Sequence, residues 1–305
     1  MIKFLQLIHG KSLLVLTLGL VLIKFTLFNP FSEITLNWVG MIYLCLAINT
    51  IAGAGYLLDE LTSPSGTFAP GKNGVIKSHR TQKTGYRLFF ILNITGVLIG
   101  FYLSNLIGRP GFAVLFILAS VLLYLKAYSF QKYILLRPLT SGILVLLSFI
   151  LVWLFDLFPA TTDHNQNIIS FLFNIVLIYG GIIGGLLFIR ELIANQLRID
   201  RDHKYKIKSL SLSLGLSRTN KVIFALTALL IGVVIYFLIH YLYRNLISLV
   251  YVSLLILIPL FFVLYKILDA SQKKDYKLVL AIMDGILFCC ILSIALYQIQ
   301  YLIKS

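Results

Sequence analysis

Long apolar runs separated by short polar segments make up almost the whole chain. Nine runs are long enough to cross a hydrocarbon layer of about 30 Å, which takes roughly 20 helical residues. They cover Ser12–Phe28, Trp38–Leu58, Arg87–Ile107, Gly111–Tyr128, Leu139–Leu157, Ile168–Leu192, Val222–Tyr241, Ser248–Leu268 and Leu278–Ile303. Spans this dense leave no room for a separate soluble domain. The pattern therefore predicts an all-α integral membrane protein, nine transmembrane helices in one bundle, with residues 1–305 forming a single polytopic domain. Two polar connections stand out by length, 59–86 and 193–221, whereas most others have about ten residues or fewer. Long connections of this kind are usually functional or disordered. They follow spans two and six, four helices apart, which hints at a duplicated four-helix unit plus one helix.

Composition agrees with this pattern. Hydrophobic residues make up 59% of the chain and charged residues 12%, against roughly a quarter charged in a soluble domain. A net charge of +15 raises the possibility of nucleic acid, but the positions of the charges argue otherwise. With the N-terminus taken as cytoplasmic, 22 of the 26 Lys and Arg fall on that side, in the short connections. That bias is the positive-inside signature of a multi-pass protein. It predicts a cell-membrane protein with a cytoplasmic N-terminus and an outer C-terminus. Lys24 lies near the outer end of the first span, where its stem can snorkel to the surface, and no role is assigned to it.

No cleavage site of the A-x-A type follows the first apolar run, which is expected to be a retained helix. Cys45, Cys289 and Cys290 lie in apolar runs without ligand spacing, so they read as buried packing residues. The histidines form no metal-ligand spacing. Phosphate-loop, H-E-x-x-H and G-x-S-x-G motifs are missing from the sequence.

Candidate chemistry concentrates after span six. If that helix continues past the membrane, Glu191, Asn195, Arg198 and Asp202 share one face. Polar groups on one face of a helix leaving the bilayer would point into a cavity, since lipid contact is expensive for them. The basic residues from Arg198 to Lys208 suit a phosphate or diphosphate, or equally an anionic lipid surface. Asp284 in span nine is an intramembrane acid with no evident partner, a functional candidate by default and the main support for a transporter reading. Gly180, Gly181, Gly184 and Gly185 in span six suit close helix packing.

The stretch from Arg190 to Leu210 resembles the second aspartate-rich region of the UbiA superfamily of intramembrane prenyltransferases. Arg190 and Glu191 match the opening of that motif, Asp202 its last acid, Ile207-Lys208-Ser209-Leu210 its tail and Gly215 a following L-G. Asn195 and Arg198 replace two family aspartates. The first long connection is similar to the other family motif, with Gly55-Tyr56, then Asp59-Glu60 at the N-D positions and Pro70-Gly71-Lys72 after them. Ser63 and Thr67 stand at the remaining acidic positions. A second register places Asp59 at the last aspartate and Pro64 at the proline. Tyr128-Ser129 and Met283-x-Gly285 also resemble family pairs.

The resemblance implies a nine-helix fold, with allylic diphosphate ionised between the two connections and Mg²⁺ held by carboxylates there. It assigns Asp59, Glu60, Asn195 and Asp202 to metal, and Lys72, Arg80, Arg198 and Lys204 to diphosphate. Mg²⁺ wants several hard oxygen ligands, and the replaced acids leave too few for two ions. Two functions compete on this basis. One is transfer of a polyprenyl group from its diphosphate to an aromatic or polar lipid acceptor. The other is a non-catalytic paralogue that binds membrane lipid or assists assembly.

Overall fold

The computed structural model describes residues 10–62, 79–130, 133, 135–199, 210–242 and 245–297. Among these residues there is no strand, and nine helices are long and apolar enough to cross a membrane. They are α1 (Gly10–Phe28), α2 (Trp38–Thr62), α3 (Gln82–Leu106), α4 (Pro110–Tyr128), α5 (Leu136–Ala160), α6 (Gln166–Gln196), α7 (Leu216–Leu242), α8 (Leu246–Asp269) and α9 (Lys273–Ala295). Each contains one of the nine apolar runs or most of it. Several ends run beyond the apolar stretch by a turn or more, at the start of α3, α7 and α9 and at the end of α2 and α6. Asp59, Glu60 and Asn195, expected on connections, are therefore helical residues.

Local chemistry accounts for several helix starts. Asn37 accepts the Gly40 amide at 2.8 Å before α2. Asn245 accepts the Ile247 amide at 2.9 Å before α8. Gln272 and Asp275 form a reciprocal capping box at the start of α9. Each gives a partner to amides that the first helical turn leaves without one.

Consecutive helices pack side by side, and α9 returns to pack on α1 and α6. One continuous apolar core runs through the bundle, from Leu20 and Phe28 in α1 to Met283 and Ile291 in α9. The outward surfaces are apolar too. Phe90, Ile94, Leu98 and Phe101 on α3 are all exposed, as are Leu254, Ile258, Phe261 and Tyr265 on α8. Such stripes would be unusually large patches on a soluble protein; in a bilayer they meet lipid tails.

Two close approaches set the helix spacing near the basic end, where the Lys- and Arg-rich connections lie. A Cβ on Gly142 would stand 2.6 Å from the Gly184 carbonyl oxygen, so α5 and α6 touch backbone to backbone. A Cβ on Gly55 would stand 2.4 Å from the Leu123 side chain, which brings α2 and α4 together. Of the four span-six glycines, Gly180 and Gly185 also meet neighbouring leucines, while Gly181 faces open space.

Lys24 corrects the sequence expectation. It does not snorkel; its side chain is 1% exposed and paired with the fully buried Asp156 of α5. Its ammonium donates to Asp156 Oδ1 at 2.9 Å, to Oδ2 at 2.8 Å and to the Leu36 carbonyl at 2.7 Å. All three donors of the group are thereby used. Asp156 Oδ1 also accepts the Leu36 amide at 2.9 Å, so the pair fastens α1, the 29–37 connection and α5 together. Lys24 lies in a π-helical turn, Ile23–Phe28. Opposite charges at similar depth in two spans were the available signal; which helix faces which was not.

Removing one partner of a buried pair leaves an uncompensated charge and costs about 3–5 kcal/mol. Lys24→Met should lower thermal stability in detergent accordingly, and adding Asp156→Leu should recover most of the loss. Equal losses in the single and double variants would contradict this account.

Candidate functional site at the basic end of the bundle

The last turns of α2, α4 and α6 and the first turn of α5 meet at the basic end, with Asp284 of α9 beside α6. The Gly55–Leu123 contact sets the register of α2 against α4, and one turn further on Asp59 faces Lys126. The Lys126 ammonium lies 3.3 Å from Asp59 Oδ2 and 3.6 Å from Glu191 Oε1 of α6. It is largely buried, with 10% of its side chain exposed. Arg137 of α5 lies 3.7 Å from the other Asp59 oxygen. That distance is an ion pair without a hydrogen bond, and Asp59 Oδ1 is buried with none. The Gly142–Gly184 approach holds α5 against α6, and there the Ser141 hydroxyl donates to Glu191 Oε1.

A second pair closes the cluster. Arg190 of α6 and Asp284 of α9 form a two-armed ion pair through Nε and Nη2. Asp284 thus has the partner that the sequence did not reveal. Three acids, Asp59, Glu191 and Asp284, alternate with Lys126, Arg137 and Arg190, so the fixed charges of the cluster balance. Desolvating an ammonium is costly unless carboxylates compensate it, and Lys126 has two of them.

The sequence-assigned residues divide by location. Asp59 sits at the centre of the cluster. Glu60 follows it on the last turn of α2. Asn195 is on α6 one turn past Glu191, and Arg198 lies just beyond the helix end. Arg80 is in the helix His79–Leu106 that becomes α3. Lys72, Asp202 and Lys204 lie outside the described residues. Glu191 is both a motif match and a member of the polar face after span six, whereas Lys126, Arg137 and Ser141 have no assignment from the sequence. Their signal was a position at the basic end of an apolar run, which they share with many lysines and arginines of an anchoring kind.

Mg²⁺ needs near-octahedral oxygen ligation at about 2.0–2.1 Å. Among the described residues no three His, Cys, Asp or Glu side chains gather closely enough to hold a metal ion. The carboxylates that do converge, Asp59 and Glu191, already face Lys126, with Arg137 beside Asp59. A divalent ion placed between them would meet two fixed positive charges within a few ångströms. This part of the cluster does not fit such an ion.

A groove of about 430 Å³ lies between α3 and α4, lined by apolar residues including Phe89, Ile94, Leu98 and Ile117, with Tyr124 among its lining. Tyr124 is two residues from Lys126, about 200° around a helix. Groove and cluster therefore occupy opposite faces of α4.

The model of the UbiA prenyltransferase family matches residues 72–296, about three quarters of the chain. The chain belongs to the UbiA prenyltransferase family. The matched region begins at Lys72 and so omits α1, α2 and the Gly55–Gly71 stretch, where the motif resemblance is weaker. No curated protein matches by sequence. Solved UbiA-type structures superpose over nearly the whole length. One concerns digeranylgeranylglyceryl phosphate synthase, at 14% identity and a TM-score of 0.66, covering 96% of this chain and 98% of that one. Another is a UbiA homologue from Archaeoglobus fulgidus bound to GPP and Mg²⁺, at 12% identity and a TM-score of 0.59, covering 96% and 99%. The same homologue bound to Cd²⁺ superposes at 12% identity and a TM-score of 0.61, covering 97% and 99%. At such identities the likeness shows a shared fold.

The Arg190–Asp284 pair is partly exposed, so its coupling should be modest, up to about 1 kcal/mol. A double-mutant cycle of Arg190→Ala and Asp284→Asn, read by thermal unfolding at low and high salt, checks this. A coupling that ignores salt would contradict the ion-pair account.

Proposed function

We propose that this UbiA-family protein is a membrane prenyltransferase that moves a polyprenyl group from its diphosphate to an aromatic or polar lipid acceptor. The observation that carries this reading is the polar cluster at the ends of α2 and α6, the two helices bearing the motif resemblance, where Lys126 joins Asp59 to Glu191. In this reading the protein sits in the cell membrane as one nine-helix domain. Its basic end and N-terminus are cytoplasmic and its C-terminus is outside.

Diphosphate would lie across that end, held by Lys72, Arg80, Arg198 and Lys204. Guanidinium and ammonium groups neutralise the charge that builds on a departing diphosphate, and guanidinium can do so with two parallel bonds. The bond from the allylic carbon to the diphosphate oxygen breaks, and its electron pair leaves with the diphosphate. A new bond forms between that carbon and the acceptor, which gives up a proton. The oxygen donors that motif resemblance assigns to Mg²⁺ (Asp59, Glu60, Asn195 and Asp202) enter no step here, because Asp59 already faces two cations.

One observation favours a second reading, a non-catalytic paralogue that binds lipid or assists assembly. Lys126 and Arg137 balance the converging carboxylates, as a structural cluster would. Purified protein in lipid nanodiscs, supplied with labelled polyprenyl diphosphates and candidate acceptors, separates the two. Release of diphosphate with formation of a lipid-soluble product supports transfer. Binding without release in the presence of acceptors supports the second reading, and absence of both overturns the first. Arg198→Ala should weaken diphosphate binding about tenfold, in line with the strength of a charge-assisted hydrogen bond.

A further inference from the structure

We infer that the Lys126 ammonium takes the place that a divalent cation shared by Asp59 and Glu191 would take, so that diphosphate is taken up at this end of the bundle without an ion held by these two carboxylates. The second clause rests on the diphosphate reading above; the first is independent of it.

The geometry is that of one cation shared by two helices. Asp59 comes from the end of α2 and Glu191 from the end of α6, and both carboxylates face a single Nζ at 3.3 and 3.6 Å. A metal bridging two helix ends would need the same two oxygens. Lys126 is carried on a third helix, α4, whose position is set by the leucine three residues earlier packing over Gly55. Its stem is buried, so the ammonium is delivered from inside the bundle rather than from a mobile surface chain. Ser141 fills a further acceptor site on Glu191 Oε1, and Arg137 covers the remaining Asp59 oxygen at ion-pair distance.

Charge points the same way. The two carboxylates are matched by the two cations Lys126 and Arg137. Without Lys126, two partly buried carboxylates would face one another with Arg137 beside Asp59 and Arg190 engaged by Asp284, and a divalent cation would then be attracted. The wild-type cluster is thus a metal site filled by a side chain. In this cluster the ammonium neutralises the two carboxylates that would otherwise attract a divalent ion. Diphosphate binding then needs no ion between them if basic residues outside this balance, Arg198 among them, supply its counter-charge.

Mn²⁺ binding followed by electron paramagnetic resonance on the full-length protein in nanodiscs tests the first clause directly. Wild type should show no saturable Mn²⁺ that depends on Asp59. Lys126→Met, which keeps the stem and removes the charge, should gain one site, and Lys126→Met combined with Asp59→Asn should lose it again. Lys126→Gln provides a second variant should the methionine form fail to fold. Saturable Mn²⁺ in wild type that disappears in Asp59→Asn or Glu191→Gln overturns the inference. Mn²⁺ unaffected by both substitutions sits elsewhere and upholds it.

The second clause is read from geranylgeranyl diphosphate binding in EDTA and in Mg²⁺. Affinities within about twofold support it, and a loss of more than tenfold in EDTA overturns it. Binding in neither condition overturns the diphosphate reading itself, while the Mn²⁺ measurements still decide the role of Lys126.

Discussion

An ionised side chain that leaves water inside a membrane protein must find its counter-charge, and both ends of this bundle are arranged around that requirement. At one end Lys24 and Asp156 are almost completely enclosed. They hold α1, α5 and the connection between α1 and α2 in one position, because any displacement would strand a charge in an apolar surrounding. At the other end Lys126 sits between the acids of α2 and α6, with Arg137 and the Arg190–Asp284 pair around it. Between the ends the packing is apolar and indifferent to small rotations of a helix about its axis. The charged groups remove that freedom for the helices that carry them: α1 and α5 at one end, and α2, α4, α5, α6 and α9 at the other, have to turn acids and bases toward partners on other helices.

Glycine contacts bring those partners within reach. Gly142 against Gly184 allows α5 and α6 to approach until Ser141 meets Glu191. Gly55 accepts Leu123 and so aligns Asp59 with Lys126. These contacts carry no chemistry of their own, yet a methyl group on Gly142 or Gly184 would push α5 and α6 apart, and one on Gly55 would force the Leu123 side chain to move. Small residues at helix contacts and charges at helix ends thus serve one geometry at two depths.

The fold of the family persists here at low identity because it depends on properties that many sequences share. Span length, an apolar surface and close contacts at a few small residues are enough to keep nine helices in place. The charges at the basic end obey a different rule. They can be exchanged so long as they balance, and this chain has basic or neutral residues at several positions where the family motif has acids. Asn195 and Arg198 are instances, and Lys126, which is outside the motif, faces Asp59, which the motif resemblance assigns to metal.

Much of the architecture was legible along the chain. Nine apolar runs are a local property and appear as nine helices among the described residues, and span six continues past its apolar run far enough to carry Asn195. Two features were misjudged for a common reason. Lys24 looked like a snorkelling lysine and Asp284 like an unpartnered acid, because a sequence reports how deep a residue lies and not which neighbour its helix faces. The role of Asp59 was open in the same way, since its partner Lys126 is on a helix two spans later and carries no motif. Depth in the membrane follows from the length of an apolar run, which is written locally. Pairing follows from helix rotation and packing, to which every span contributes, and only the assembled bundle decides it.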